Sequence, residues 1–201
     1  TKNTQPAIMV LGVSIFNVLK NYSNLNLNSF NFFAGHSLGE YTALVCSGSL
    51  SLESAAYLLH ERGKAMQEAV PTDHGAMTAV IGMTIEEVES EIKLLQTKEV
   101  CEIANDNCNG QVVVSGTKQI INNLNENLKK KNKRGILLPV SAPFHSSLMK
   151  SASIKMEEKI LKTNFLKPEP SIISNVTAKE ENDVNVIKSL LVKQIVSRVR
   201  W

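Results

Sequence analysis

Apolar positions change their rhythm twice along this chain, and those changes divide it. Residues 6–20 set Ile8, Met9, Leu11, Ile15, Val18 and Leu19 on a broad helical face. The polar stretch Asn21–Ser29 reads as a surface loop, and Phe30–Ala34 as a short apolar strand that Gly35 ends. Helical spacing returns over Leu38–Cys46, with Gly48 where a helix would stop. A further helix is predicted over Ser51–Ala69, capped by Ser51 and closed before Pro71.

From residue 76 the pattern becomes β-rich. Ala76–Ile81 reads as a strand, and Thr84–Gln96 as a helix with Thr84 and Glu87 at capping-box spacing. Val100–Ala104 and Gln111–Ser115 flank an Asn/Gly turn, so they predict a hairpin. Thr117–Lys131 is amphipathic and Gly135–Val140 is a further strand. Strand–helix–strand–strand–helix–strand is the split βαβ, ferredoxin-like order. The rhythm then reverts to a helix at Ser147–Thr163, a strand at Pro170–Ser174 and a helix at Asp183–Ser197. The expectation is an α/β chain in which a small ferredoxin-like subdomain, 71–137, is inserted into a larger α/β subdomain made of 1–70 and 138–201.

Composition narrows the function classes. With 201 residues, 43% hydrophobic and 20% charged, the chain can bury a core and is not generally disordered. A net charge of +3 is too small to argue for nucleic acid. Cys46, Cys101 and Cys108 are odd in number and form no C-x-x-C pair, which suits free thiols rather than a disulfide framework or a metal site. No apolar run reaches the roughly 18–20 residues that would span a bilayer, so no membrane segment is expected. Thr1 is neither an initiator Met nor part of a signal-peptide pattern, and the chain reads as an internal fragment. The 19 asparagines, with frequent Lys and Ile, read as the codon bias of an AT-rich genome.

Gly35-His36-Ser37-Leu38-Gly39 is a G-x-S-x-G sequence between a predicted strand and a predicted helix, the context of a nucleophile elbow. Glycines are expected on both flanks because a Cβ would clash in so tight a turn. Ser37 would then stand at a helix N-terminus, where the dipole and the Leu38 N–H favour the charge that develops on an attacked carbonyl. The larger subdomain is accordingly expected to be α/β-hydrolase-like.

A serine nucleophile needs a base. Of the four histidines, His36 adjoins Ser37, His60 lies in a helix and His74 in a polar loop. His145 follows a predicted strand at the end where α/β sites collect, and spacing favours it. No third triad member is obvious: Asp183 or a backbone carbonyl could orient the imidazole. Arg62 sits among Leu58, Leu59, Ala65 and Met66 and should have an anionic partner. That partner is either an internal carboxylate, Glu40 or Glu61, or the carboxylate of a substrate gripped bidentately.

Together these residues resemble the malonyl-CoA:acyl carrier protein transacylase family. The resemblance rests on Thr4-Gln5-Pro6-Ala7, Gly35–Tyr41, Arg62–Gln67, Gly110–Gly116 and Ser141–Ser146, with Gln194 and Val199-Arg200-Trp201 fitting as well. It implies that malonyl-CoA acylates Ser37 and that the carrier protein's phosphopantetheine thiol then removes the malonyl group, with His145 as base and acid. It further implies Arg62 as the carboxylate grip and the main-chain carbonyl of Gln194 as the group orienting the histidine. Asn107 matches an asparagine near the substrate channel, although Asp106, Cys108 and Asn109 depart from the pattern. Phe144 resembles the malonyl-selecting form, in which a large ring crowds a 2-methyl group.

The resemblance implies no cofactor, coenzyme A thioester being a substrate, and a monomer with the bacterial cytoplasm as its default compartment, while the Asn, Lys and Ile bias would equally fit a plastid of an AT-rich eukaryote. The family pattern opens with a strand and a Gly-Gln-Gly loop carrying a second oxyanion donor, which this sequence lacks. A chain of these 201 residues alone is therefore expected to be poorly stable and nearly inactive. An acyltransferase domain of a polyketide synthase shares these features. A serine hydrolase or thioesterase would not need Arg62, and a scaffold would need none of the three. Lys129–Arg134 reads as a solvated helix end or as a docking patch for an acidic carrier protein.

Overall fold

A computed structural model of the chain describes residues 2–22, 26, 29–140 and 142–201. Ser141 and most of the polar stretch before Ser29 lie outside the described residues. The elements are α1 (Thr4–Tyr22), β1 (Phe32–Phe33), α2 (Leu38–Cys46), α3 (Leu52–Glu68), β2 (Gly75–Ile81), α4 (Ile85–Leu94), β3 (Cys101–Cys108) and β4 (Gln111–Thr117). They continue with α5 (Lys118–Lys130), β5 (Arg134–Leu137), α6 (Lys150–Lys162), β6 (Ser171–Ile173), β7 (Glu180–Glu181), α7 (Val184–Gln194) and β8 (Val199–Arg200).

Contacts divide the chain into two compact units, Thr1–Ala65 with Ile154–Val192 and Met66–Ser153 with Lys193–Trp201. The first holds a three-stranded sheet in the order β1-β6-β7, with β1 and β6 parallel. Phe32 is opposite Ser171 and Phe33 opposite Ile172, so the segments leaving the two strands emerge side by side. Only Phe32 and Phe33 of the apolar run expected over Phe30–Ala34 find a partner strand, which is why β1 is short. Helix α1 departs from expectation. It buries Gln5, Met9 and Val13, one i,i+4 stripe, where Gly12 comes close to Thr42 of α2. Of the apolar residues that periodicity set on one broad helical face, Met9 is buried, while Ile8, Leu11, Ile15, Val18 and Leu19 are exposed.

The second unit carries a five-stranded sheet in the order β5-β2-β4-β3-β8. The first four strands are antiparallel to their neighbours, the spatial order of the split βαβ arrangement, and β8 adds a parallel edge to β3. This unit is wider than 71–137, because β8 and the segment that follows β5 pack with the sheet. Helices α4 and α5 cover one face through Val88, Ile120, Ile121, Leu124 and Leu128, which pack on Val80, Val112 and Val114.

Thr84 caps α4 in a full capping box with Glu87. The β3–β4 turn is Asn109-Gly110, and Gly110 takes the φ of +84° that such a turn requires. Two irregularities carry β3 past Ala104 to Cys108, through polar residues that a simple alternation would have assigned to a loop. Pro139 has no N–H to continue the ladder, and β5 ends at Leu137 rather than Val140. Lys131, past the end of α5, pairs with Glu91 at 2.8 Å.

Candidate active site

In the first unit the turn between β1 and α2 delivers Ser37. Its φ of 53° and ψ of −108° are a conformation that non-glycine residues rarely hold, as a nucleophile elbow demands. Gly39 N–H donates to the His36 carbonyl at 2.8 Å and Glu40 N–H to the Ser37 carbonyl at 3.1 Å, closing the turn. A Cβ on Gly35 would lie 1.9 Å from the Gly39 carbonyl oxygen, so glycine is obligatory there. Gly39 differs from expectation: its Cβ position is open to 4 Å. The Ser37 hydroxyl makes no capping bond to α2, although Ser37 is its N-cap residue. Leu38 is the first residue of α2, where an N–H has no partner in the helix ladder and faces whatever stands at the helix N-terminus.

Arg62, on α3, is 1% exposed. Its Nη2 donates to Ser37 Oγ at 3.1 Å and its Nη1 to Gln5 Oε1 at 2.6 Å. The guanidinium also lies 5.9 Å from the centre of the Tyr41 ring. Burial pulls the Arg62 pKa down, opposed by Tyr41 and Glu40. Burial pushes Tyr41 up to about 12, Arg62 lowering it and Glu40 raising it. Of the two internal carboxylates considered, Glu61 belongs to Lys159, 3.0 Å away, while Glu40 is buried close enough to be felt by the guanidinium. A buried, fork-shaped cation that donates to the nucleophile itself fits an anionic group held next to the scissile bond.

Two residues that sequence reasoning did not assign complete this unit's site. Gln5, in the first turn of α1 before Pro6, is buried and fixes the far side of the Arg62 guanidinium. Asn175, just past β6, is also buried and bonds to both sides of the elbow. The signal for Asn175 was its position two residues beyond a strand, at the sheet end where sites gather.

In the second unit His145 is buried and has a φ of +57°, a strained value for a non-glycine residue. Its Nδ1 lies 2.9 Å from the main-chain oxygen of Gln194. A carbonyl can only accept, so Nδ1 carries the proton and Nε2 keeps the lone pair of a base. This is the carbonyl orientation that the resemblance implied; Asp183 instead caps α7, accepting from Asn185 N–H and Val186 N–H. After the histidine, Ser147 N–H and Oγ both donate to the Glu102 carboxylate at 2.7 Å, which ties the His145 loop to β3.

Phe144 packs with Met77, Ala104 and Val113 on the sheet face that α4 and α5 leave open. Asn107 sits near the hairpin end of β3, its amide donating to Gln111 Oε1 at 3.3 Å. The structure thus brings Ser37, Leu38 and Arg62 together in one unit and His145, Gln194, Phe144 and Asn107 into the other. Among the described residues no group of three His, Cys, Asp or Glu side chains is placed to hold a metal ion, and no helix is long and apolar enough to cross a membrane.

The acyl transferase domain model matches residues 1–201. The malonyl CoA-acyl carrier protein transacylase of Bacillus subtilis is 40% identical over 100% of this chain and 63% of its own length. The crystal structure of the acyl-carrier-protein-S-malonyltransferase of Bartonella henselae is 42% identical with a TM-score of 0.95, over 100% of this chain and 64% of that one. A malonyl-transacylase solved in complex with a holo type II PKS acyl-carrier protein is 36% identical with a TM-score of 0.94, again over 100% and 64%. The chain therefore spans less than two thirds of the length of these relatives.

Proposed function

This chain belongs to the acyl transferase domain family, and from that premise we propose that it carries the serine core of an enzyme moving malonyl from coenzyme A to an acyl carrier protein. The observation that carries the reading is the 3.1 Å contact between Arg62 Nη2 and Ser37 Oγ. Malonyl has its carboxylate one methylene from the thioester carbonyl. A guanidinium beside the nucleophile would hold that carboxylate while the carbonyl carbon faces Oγ.

In the proposed reaction His145 Nε2 takes the Ser37 hydroxyl proton as Oγ attacks the thioester carbon. The N–H at the start of α2, that of Leu38, stabilises the oxyanion. Collapse breaks the C–S bond, and the imidazolium returns its proton to the coenzyme A sulfur. In the second half the carrier's phosphopantetheine thiol gives its proton to His145. Its sulfur attacks the malonyl-serine carbon, the C–Oγ bond breaks and Ser37 regains a proton. Each bond made matches one broken, and no cofactor is drawn on. Phe144 would disfavour a 2-methyl group, and Asn107 would be a contact of the substrate channel.

Intact mass after brief exposure to malonyl-CoA tests the reading. With the full-length protein, a malonyl adduct is expected on the wild type, absent in Ser37→Ala and much reduced in Arg62→Ala. Transfer of the adduct to a carrier thiol, rather than release of free malonate, separates this reaction from that of a hydrolase. An adduct that persists in Ser37→Ala would sink the mechanism.

A further inference from the structure

The elbow holds Ser37 in a conformation that persists only where its surroundings over-determine it. Those surroundings converge on one side chain. Asn175 Oδ1 accepts from Ser37 N–H at 2.6 Å, and its Nδ2 donates to the Gly35 carbonyl at 2.9 Å. The amide therefore spans the turn, gripping the residue at its apex and the residue at its entrance. Its own N–H donates to Glu40 Oε2 at 3.2 Å, on the first turn of α2, so the exit of the elbow is tied to the same residue.

Parallel pairing explains how a residue 138 positions away reaches the turn. Phe33 pairs with Ile172, and the chain that leaves β6 runs beside the chain that leaves β1. The loop is itself fixed: Ser174 N–H donates to the Lys179 carbonyl at 3.0 Å, and Ala178 N–H to the Ser174 carbonyl at 2.9 Å. Asn175 is 2% exposed, so these bonds are made away from water, where a lost partner costs most.

We propose that Asn175 is a positioning residue for the nucleophile: it sets the elbow so that Ser37 Oγ meets the acyl carbon, and by engaging the Ser37 N–H it leaves oxyanion binding to the N–H at the start of α2. Its effect on malonyl transfer rests on the acyl-transfer reading above. Its effect on Ser37 reactivity does not. The carboxamide is the group that fits, because the site needs an acceptor towards Ser37 and a donor towards Gly35 at once.

The test follows two covalent modifications of Ser37, acylation by malonyl-CoA and phosphonylation by a fluorophosphonate, which loses fluoride to an activated serine but offers no carboxylate to Arg62. In Asn175→Ala both rate constants are expected to fall about 10- to 100-fold, with the apparent Kd for malonyl-CoA within about twofold of wild type. Asn175→Asp keeps the acceptor and loses the donor, and should fall between the two. Because removing a buried amide also costs stability, each rate is taken from the time course and the folded fraction from its amplitude. A lower amplitude at an unchanged rate constant would overturn the proposal, as would wild-type labelling rates in both variants. A wild-type protein that takes the fluorophosphonate on Ser37 but never malonyl would reject the substrate reading and leave the Asn175 comparison decisive on its own.

Discussion

His145 Nδ1 meets the main-chain oxygen of Gln194 at 2.9 Å, so the imidazole is oriented by backbone rather than by a carboxylate. The dipole of a carbonyl fixes the tautomer without adding a buried charge. Replacing the Gln194 side chain leaves that oxygen in place. Gln194→Ala is therefore expected to keep kcat/KM within about tenfold of wild type, whereas His145→Ala should cut it by about 10²–10⁴. Steady-state kinetics on the two variants checks this, and equal losses would show that the Gln194 side chain takes part.

The two glycines of the elbow should behave oppositely. Gly35→Ala drives a Cβ into the backbone at Gly39, 1.9 Å from its carbonyl oxygen, so the turn must open. Overpacking of this kind costs about 1–3 kcal/mol or more. Gly39→Ala meets nothing within 4 Å and replaces a glycine inside α2. It should leave stability unchanged or raise it by about 0.5–1 kcal/mol. Urea unfolding of both variants gives the comparison, and comparable destabilisation would contradict the packing described.

Which parts of this were readable from residue order follows from the range of the interactions. The capping box at Thr84 is a four-residue signal, so local pattern sufficed there, and Ser37, His145 and Arg62 were singled out from equally short motifs. The order β5-β2-β4-β3 was implied by the order of those strands along the chain, whereas the edge strand β8 was not. Asn175 and Gln5 reach Ser37 and Arg62 through parallel pairing and helix packing across 138 and 57 positions, so what they bond to could not be read from residue order, although Gln5 lies in the Thr4–Ala7 motif and Asn175 just past a strand. Periodicity found helix α1, but which part of its broad apolar face is covered depends on where α2 lies, and of the residues set on that face Met9 is the one buried. The requirement for glycine at position 39 was inferred from the motif, and the backbone does not impose it.

The thiols should separate by burial. Burial pushes both Cys46 and Cys101 up to about 11, the Glu102 charge adding to the shift at Cys101. At pH 8 each is then a thiolate about one part in a thousand, and the thiolate is the reactive form. Cys108 is exposed. Titration with an aromatic disulfide at pH 8 should show one fast thiol, abolished by Cys108→Ser, with the other two reacting quickly only in denaturant. Raising the pH towards 11 should accelerate the slow pair in the native protein. Three equally fast thiols at pH 8 would contradict the raised pKa of the half-buried Cys46 and the buried Cys101.

Arg62 should contribute to function at the expense of stability. Burial lowers its pKa, which means the folded state disfavours its charged form. For a base the sign is clear: below the folded pKa the charge is present and its burial opposes folding, and only a pH above that value would relieve the cost. Arginine stays charged across the working range, so the cost persists. Arg62→Met fills the space without the charge, and replacing a buried ion with apolar volume is often neutral or stabilising. The Gln5 side chain then loses a partner, which offsets part of the gain. The expected outcome is a Tm unchanged or raised in Arg62→Met, with kcat/KM for malonyl-CoA down by about 10²–10³ through loss of two charge-assisted bonds. A neutral acyl-CoA has no carboxylate for the guanidinium and should lose far less. Thermal unfolding together with kcat/KM for malonyl-CoA and acetyl-CoA reads all three quantities, and an equal loss on both substrates would mean that Arg62 serves Ser37 rather than the malonyl carboxylate.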